Sequence, residues 1–290
     1  MKVAFLGTGL MGAPMVRNLA NAGHELHIWN RSYEKAAQLS EFAQVYKSSV
    51  DAVSNVEIVI TMLSDGPVTT SVLQSQGVIE AAPEKTLFID MGSVEPDCDQ
   101  RLARLAKTQG KRFLDAPVSG GVKGAEAATL TIFVGGEAAD MKDALPVFEA
   151  LGRPNLIGPI GAGQSAKLAN QLIVAITIGA VAEAFKLAES AGCDSAILRQ
   201  ALRGGFADSR ILDLHGERMV NRNFVPGGRA KSQLKDVHNA LSLAAASGLE
   251  LPLAKSVECS FRSLVEEYDG GDLDHSAYYL WLEKKNKARQ

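Results

Sequence analysis

Lys167 stands in the stretch GAGQSAKLANQ, with Asn170 and Gln171 three and four residues on. On a helix that spacing puts the three on one face. An ammonium group held among amides at the start of an otherwise apolar helix can give a proton to a substrate oxygen and stabilise charge building on it. Spacing alone fits a solvated helix face equally well, since lysines mostly sit at surfaces. A second chemical signal opens the chain, MKVAFLGTGLMGAPM, where Gly7, Gly9 and Gly12 follow the apolar run VAFL. Glycines at this spacing between a strand and a helix let backbone N–H groups and the helix N-terminus hold a pyrophosphate. Gly7 suits the tight turn, Gly9 the approach of the ligand and Gly12 the packing of helix on strand. Leu10 and Met11 lie within the same loop.

The second strand of such a unit ends beside the adenosine ribose. Here it ends WNRS, giving Asn30, Arg31 and Ser32. No carboxylate is present to accept from a ribose 2′-hydroxyl. A guanidinium in its place pairs with a 2′-phosphate, so NADP(H) is the expected cofactor, with NAD as the alternative if Arg31 is only a surface arginine.

These residues need a frame. VAFL, HELHIW, EIVITML, TLFIDM and RFLDAPV read as strands, separated by YEKAAQLSEFA, VTTSVLQSQGVIEAA and CDQRLARLAKTQG, which read as helices. That alternation predicts an α/β fold with a doubly wound parallel sheet, a Rossmann domain over 1–161. TLTIFVGG adds a strand, and LIGPIG a short last one. From 162 to 290 an all-helical domain is expected, joined by one long helix over QSAKLANQLIVAITIGAVAEAFKLAESAG and closed by Gly192. That helix is apolar nearly all round in its middle, which predicts burial between other helices. Packing against a second copy would serve as well, and a homo-oligomer is the expectation.

The 290 residues carry a net charge of −3, which argues against a nucleic-acid partner. The basic end KKNKARQ suits a helix C-terminus. The run LIVAITIGAVA is too short to span a bilayer. The glycine motif begins at residue 7, which leaves no room for a cleavable leader, and a cytoplasmic protein is expected. Cys98, Cys193 and Cys259 have no paired spacing and read as small core residues in a reducing compartment. No ligand cluster for a metal is visible. His24, His27, His215, His238 and His275 read as structural or solvent-facing, and Asp90 and Asp115 as turn-forming residues at strand ends.

FLGTGLMGAPM, ITMLSD, DAPVSGG and GAGQSAKLANQ, in this order and over nearly the whole chain, closely resemble the β-hydroxyacid dehydrogenase family, the 3-hydroxyisobutyrate dehydrogenase-related enzymes. The resemblance implies an oxidoreductase acting on small oxo acids or semialdehydes and their hydroxy acids. It implies Lys167 as general acid and base, and Ser119, Gly120, Gly121 and Asn170 as substrate-binding residues. It also implies Met62, Leu63 and Ser93 beside the cofactor, and Lys235 of QLKD closing over cofactor and substrate. The family often carries proline where Ser64 stands. Two other readings share the architecture: an imine reductase, which usually lacks the lysine, and a non-catalytic dinucleotide-binding protein, which has no need of it.

Overall fold

The computed structural model describes residues 1–287; the last three residues of the basic end lie outside it. The chain divides into two compact units, Met1–Lys167 and Leu168–Gln290. The sequence reading placed the boundary at 161/162, in the glycine-rich segment. The division falls a few residues later because a continuous helix runs through it.

The first unit alternates strand and helix. In order it contains β1 (Lys2–Leu6), α1 (Gly12–Asn21), β2 (Glu25–Trp29), α2 (Tyr33–Ala37), β3 (Gln44–Tyr46), α3 (Ser49–Val53), β4 (Ile58–Thr61), α4 (Gly66–Thr70), α5 (Val78–Ala81), β5 (Leu87–Asp90), α6 (Pro96–Thr108) and β6 (Arg112–Asp115). There follow β7 (Val118–Ser119), α7 (Gly121–Glu126), β8 (Leu130–Gly135), α8 (Ala138–Glu149), β9 (Gly152–Gly158) and the start of α9 (Ala162–Ser190). The sheet order is β3-β2-β1-β4-β5-β6-β8-β7, with β9 on β8. Its first six strands are parallel, in the doubly wound order.

Both faces of that sheet are covered, which explains the near-continuous apolar strands. Val3 and Phe5 point into one core and Ala4 and Leu6 into the other; Ile58 and Ile60 oppose Val59 in the same way. Burying a side chain of this size contributes about 1.5–3 kcal/mol each.

The sheet is dominated by parallel pairs, as expected, and at its far end β8 runs antiparallel to β6 and β7. Two expectations need correction. The strand β3 was missed, being three residues long and carrying no apolar run. The stretch over 68–82 is not one helix. It ends in a wide π-turn, Ser71–Ser75, and restarts after Gly77, whose φ of +76° breaks the helix.

The second unit is helical: the rest of α9, then α10 (Ser195–Leu202), α11 (Arg210–Val220), α12 (Ala230–Ala246), α13 (Pro252–Glu266) and α14 (Tyr278–Lys287). At 29 residues, α9 is ~44 Å long. By length and composition alone it could cross a membrane. Ala175, Ile178, Val181, Ala182 and Phe185, however, pack in one core with Leu212, Met219, Val237, Phe261 and Trp281. Burial is one-sided rather than complete, since Ile173 is 68% and Leu187 74% exposed. The helices of a single chain cover only one face. Cysteine also departs from expectation: Cys98 is buried, but Cys193 and Cys259 are exposed, and all three are free thiols.

The N-terminus of α9 is held within the first unit by a buried polar network. Asp115, ending β6, accepts from Gly161 N and Gln164 N, each at 2.8 Å. The Gln164 amide, fully buried, donates to Gly92 O at 2.9 Å and to Asp99 Oδ2 at 2.8 Å, and accepts from Val94 N at 3.2 Å. Gly163 is required here, because a Cβ would stand 2.3 Å from Phe133 O and 2.7 Å from Asp115 O. Burial pushes the Asp99 carboxyl well above its ordinary value, reinforced by the nearby Asp90 and Asp115.

Native Asp99 therefore keeps its proton where the unfolded chain has lost it. Unfolding then releases a proton, and stability falls as pH rises from the ordinary carboxylate range toward the raised native value, by up to ~1.4 kcal/mol per pH unit. Asn cannot ionise. The urea midpoint of Asp99→Asn should gain on wild type steadily as pH rises above the ordinary carboxylate range of about 4. A difference independent of pH would mean that the carboxyl is not perturbed.

Candidate active site

The carboxyl ends of β1, β2 and β4 meet at the glycine loop. Gly7 sits at φ +112°, and a Cβ on it would lie 2.4 Å from Met62 O; a Cβ on Gly12 would lie 2.0 Å from Gly7 O. These two glycines are demanded by the protein's own packing. Gly9 differs, because a Cβ there would meet nothing within 4 Å. The fold gives no internal reason for glycine at this position, and an approaching pyrophosphate does. The residues present therefore fit a dinucleotide. Leu10 is 67% exposed on the same loop, while Met11 is half-buried against the core.

The loop is braced from β2. Thr8 N donates to Asn30 Oδ1 at 3.1 Å, and Asn30 Nδ2 donates to Ser32 O at 3.0 Å. One side chain thus fixes both the glycine loop and the strand end that carries Arg31 and Ser32, both exposed. Met62 and Leu63 border Gly7, and Leu63 O approaches Gly92 so closely that a Cβ there would lie 3.0 Å away. Asp65 caps α4 by accepting from Val68 N at 2.9 Å, and Ser64 donates to Asp65 at 2.8 Å, a cap that stands where proline is common in the family.

Ser93 is flanked by the two backbone groups that Gln164 grips, Gly92 O and Val94 N. The same glutamine lies one turn before Lys167 on α9, and Lys167 is half-buried. The lysine is thereby tied in position to the β5 loop that carries Ser93. Sequence reading missed Gln164; its signal was a glutamine at the first turn of an apolar helix. Asp90 and Asp115 serve as turn and cap residues. Asp90 accepts from Thr61 Oγ1 at 2.6 Å and from Gly92 N at 3.1 Å.

Ser119 lies elsewhere in this unit, on the edge strand β7, paired in register with Thr131. It is half-buried. Gly120 and Gly121 follow it with φ of +141° and +62°, both exposed, and turn the chain into α7.

In the second unit, Asn170 and Lys235 are joined by a polar relay. Asn170 Nδ2 donates to Gln171 Oε1 at 2.9 Å, Gln171 Nε2 donates to Asp236 Oδ2 at 2.7 Å, and Lys235 Nζ lies 3.3 Å from Asp236 Oδ1. Gln233 Nε2 adds a bond to Gln171 O at 3.1 Å. Asp236 is thus the fixed point for Lys235 on α12, and α9 presents Asn170 one turn after Lys167.

Comparison with known proteins agrees with the fold. Residues 2–170 match the family described as the NAD binding domain of 6-phosphogluconate dehydrogenase. Residues 161–282 match the family described as NAD-binding of NADP-dependent 3-hydroxyisobutyrate dehydrogenase. The chain is 41% identical to the 2-hydroxy-3-oxopropionate reductase of Escherichia coli K12, over 98% of this chain and 97% of that one. It is 34% identical to the oxidoreductase YkwC of Bacillus subtilis, over 97% and 98%. Among solved structures, Mycobacterium tuberculosis 3-hydroxyisobutyrate dehydrogenase, determined with L-serine, superposes with a TM-score of 0.89 at 34% identity, covering 97% of this chain and 98% of that one. With two family matches and relatives spanning its full length, the chain belongs to the 3-hydroxyisobutyrate dehydrogenase-related β-hydroxyacid dehydrogenases, oxidoreductases that act on CH–OH groups with a nicotinamide dinucleotide.

Proposed function

We propose that this enzyme is an NADP(H)-dependent reductase of small oxo acids and semialdehydes, of the tartronate semialdehyde or glyoxylate/succinic semialdehyde type, with Lys167 as its general acid. The observation that carries the reading is the anchoring of Lys167: one helical turn after Gln164, whose amide clamps both sides of Ser93. The stretches RGGFADSRIL, NFVPGGR and QLKD also resemble tartronate semialdehyde reductases, in keeping with the E. coli relative. Oxidation of 3-hydroxyisobutyrate with NAD is the second reading, favoured by the likeness to the mycobacterial enzyme. An imine reductase is disfavoured by Lys167 itself. A homo-oligomer fits the exposed apolar positions Ile173 and Leu187 of α9, and a cytoplasmic location belongs to the same proposal.

The Gly7–Gly12 loop, Asn30, Arg31, Ser32, Met62, Leu63 and Ser93 would hold the dinucleotide, with Lys235 closing over it. When bound and reduced, its nicotinamide supplies the hydride. Lys167 then stabilises the charge developing on the carbonyl oxygen and gives it a proton; in the reverse direction neutral Lys167 takes the hydroxyl proton. Ser119 and the N–H groups of Gly120 and Gly121 hold the substrate carboxylate, with Asn170 as a further donor. Binding at that remote carboxylate orients the reacting carbon.

Three measurements test these assignments. Lys167→Ala should lower kcat by at least ~10²-fold with cofactor affinity nearly unchanged, because the acid acts in the transition state. Near-normal turnover would refute the lysine mechanism. Arg31→Ala should weaken NADPH by roughly 1.5–3 kcal/mol, the worth of a charge-assisted pair, and NADH far less. Equal losses in a fluorescence titration would remove Arg31 from the 2′-phosphate. Ser119→Ala should impair a carboxylate-bearing aldehyde in kcat as well as KM and leave its decarboxylated analogue nearly unaffected. An equal loss on both compounds would show that the loop does not read the carboxylate.

A further inference from the structure

The second unit contains a histidine pair that the mechanism does not use. His215 lies on α11, and His275 in a short 3₁₀ turn before α14. The rings meet nearly edge-on, with centroids 4.5 Å apart and planes at 82°. Their Nε2 atoms face each other at 3.3 Å. That distance is long for a hydrogen bond between nitrogens. It matches the roughly 3.3–3.4 Å between two imidazole nitrogens bound tetrahedrally to one ion with bonds of about 2.0–2.1 Å.

What lies behind each ring sets its tautomer. His275 Nδ1 is 3.1 Å from Gln233 Oε1. His215 Nδ1 is buried, and Asp274 Oδ1 stands 3.5 Å from it, a separation that orients the ring electrostatically rather than through a full hydrogen bond. Both Nδ1 atoms thus face oxygen acceptors, which leaves the two Nε2 atoms as the ring nitrogens that face each other. With each ring's proton on Nδ1, a cation is what the two Nε2 lone pairs would share. A carboxylate or amide oxygen behind each imidazole is the outer arrangement that metal-binding histidines use.

Asp274 belongs to that outer arrangement and is not itself a ligand. It is fully buried, and both its oxygens are committed. Oδ1 accepts from Ser276 N at 3.0 Å and Ser276 Oγ at 2.6 Å, and Oδ2 from Gly227 N at 2.9 Å and Gly228 N at 3.2 Å. The Arg218 guanidinium lies 3.6 Å from Oδ2.

We propose that His215 Nε2 and His275 Nε2 bind a divalent transition-metal ion of the zinc class, with solvent completing its coordination. Imidazole nitrogen suits zinc, nickel and copper, not calcium or magnesium. The ion would tie together α11, α12 through Gln233, and the turn before α14. The residues are 60 positions apart in sequence, which is why no metal-ligand spacing is visible there.

The test is calorimetric titration of the untagged, chelator-treated full-length enzyme with Zn²⁺ alone. A single site is expected, lost in His215→Ala and in His275→Ala. Gln233→Ala should weaken it by roughly 10–100-fold, as loss of an orienting partner does. Saturating Zn²⁺ should also raise Tm in wild type and not in the histidine variants. If those variants fail to fold, Cu²⁺ bound to wild type decides by electron paramagnetic resonance: coupling to two imidazole nitrogens supports the site, and fewer overturns it. Absence of Zn²⁺ binding to wild type would mean that the imidazoles only share a proton. Binding unchanged in folded histidine variants would place the ion elsewhere, at Cys193, Cys259 or the His238–Glu258 pair. Either result overturns the proposal.

Discussion

The grip of Asp115 and Gln164 on the first turn of α9 is the constraint on which the proposed chemistry depends. A helix N-terminus carries amides without partners inside the helix, and a buried one must find them elsewhere. Asp115 supplies two of those acceptors from the end of β6. Gln164 then uses its donors and its acceptor on the β5 loop and Asp99. The helix is held rigidly against two adjacent parallel strands, and the lysine one turn along inherits that rigidity. The network carries a cost, since burial pushes both Asp99 and Asp115 above their ordinary carboxylate values. Such a cost is usual where polar groups are buried to fix geometry rather than to add stability.

The glycine loop shows the same division between packing and function at the scale of one residue. Gly7 and Gly12 are required by neighbouring backbone, whereas a Cβ on Gly9 would meet nothing within 4 Å. Asn30 couples that loop to the strand end beside it, so that one side chain ties the glycine loop to the residues after β2. A helix N-terminus behind the loop adds a favourable field for an anion.

In the second unit, polar groups inside an apolar bundle form connected sets. Asn170, Gln171, Asp236 and Lys235 make one. Gln233 extends from it to His275 and so to His215. Buried polar groups of this kind are tolerable only when bonded to one another. Their arrangement specifies how α9, α11 and α12 register within the unit, which apolar packing alone would leave looser.

Local order was legible in the chain itself. Apolar runs of strand length, alternating with helical stretches, announced a doubly wound sheet, and three glycines placed its ligand loop, because these signals act over a few residues. The roles expected of Ser119 and Lys167 came instead from the resemblance of DAPVSGG and GAGQSAKLANQ to a known family, not from local pattern. What the sequence could not show is what depends on residues far apart. The antiparallel direction of β8 is set by its pairing with β6 and β7, not by composition. Gln164 reads as any polar residue until Gly92, Val94 and Asp99 are seen around it, some 65 to 72 positions away. His215 and His275 likewise become a pair only when two helical segments pack. Backbone preference and hydrophobic period are written locally, whereas the partners of a buried polar group are chosen by tertiary packing, and only the fold decides them.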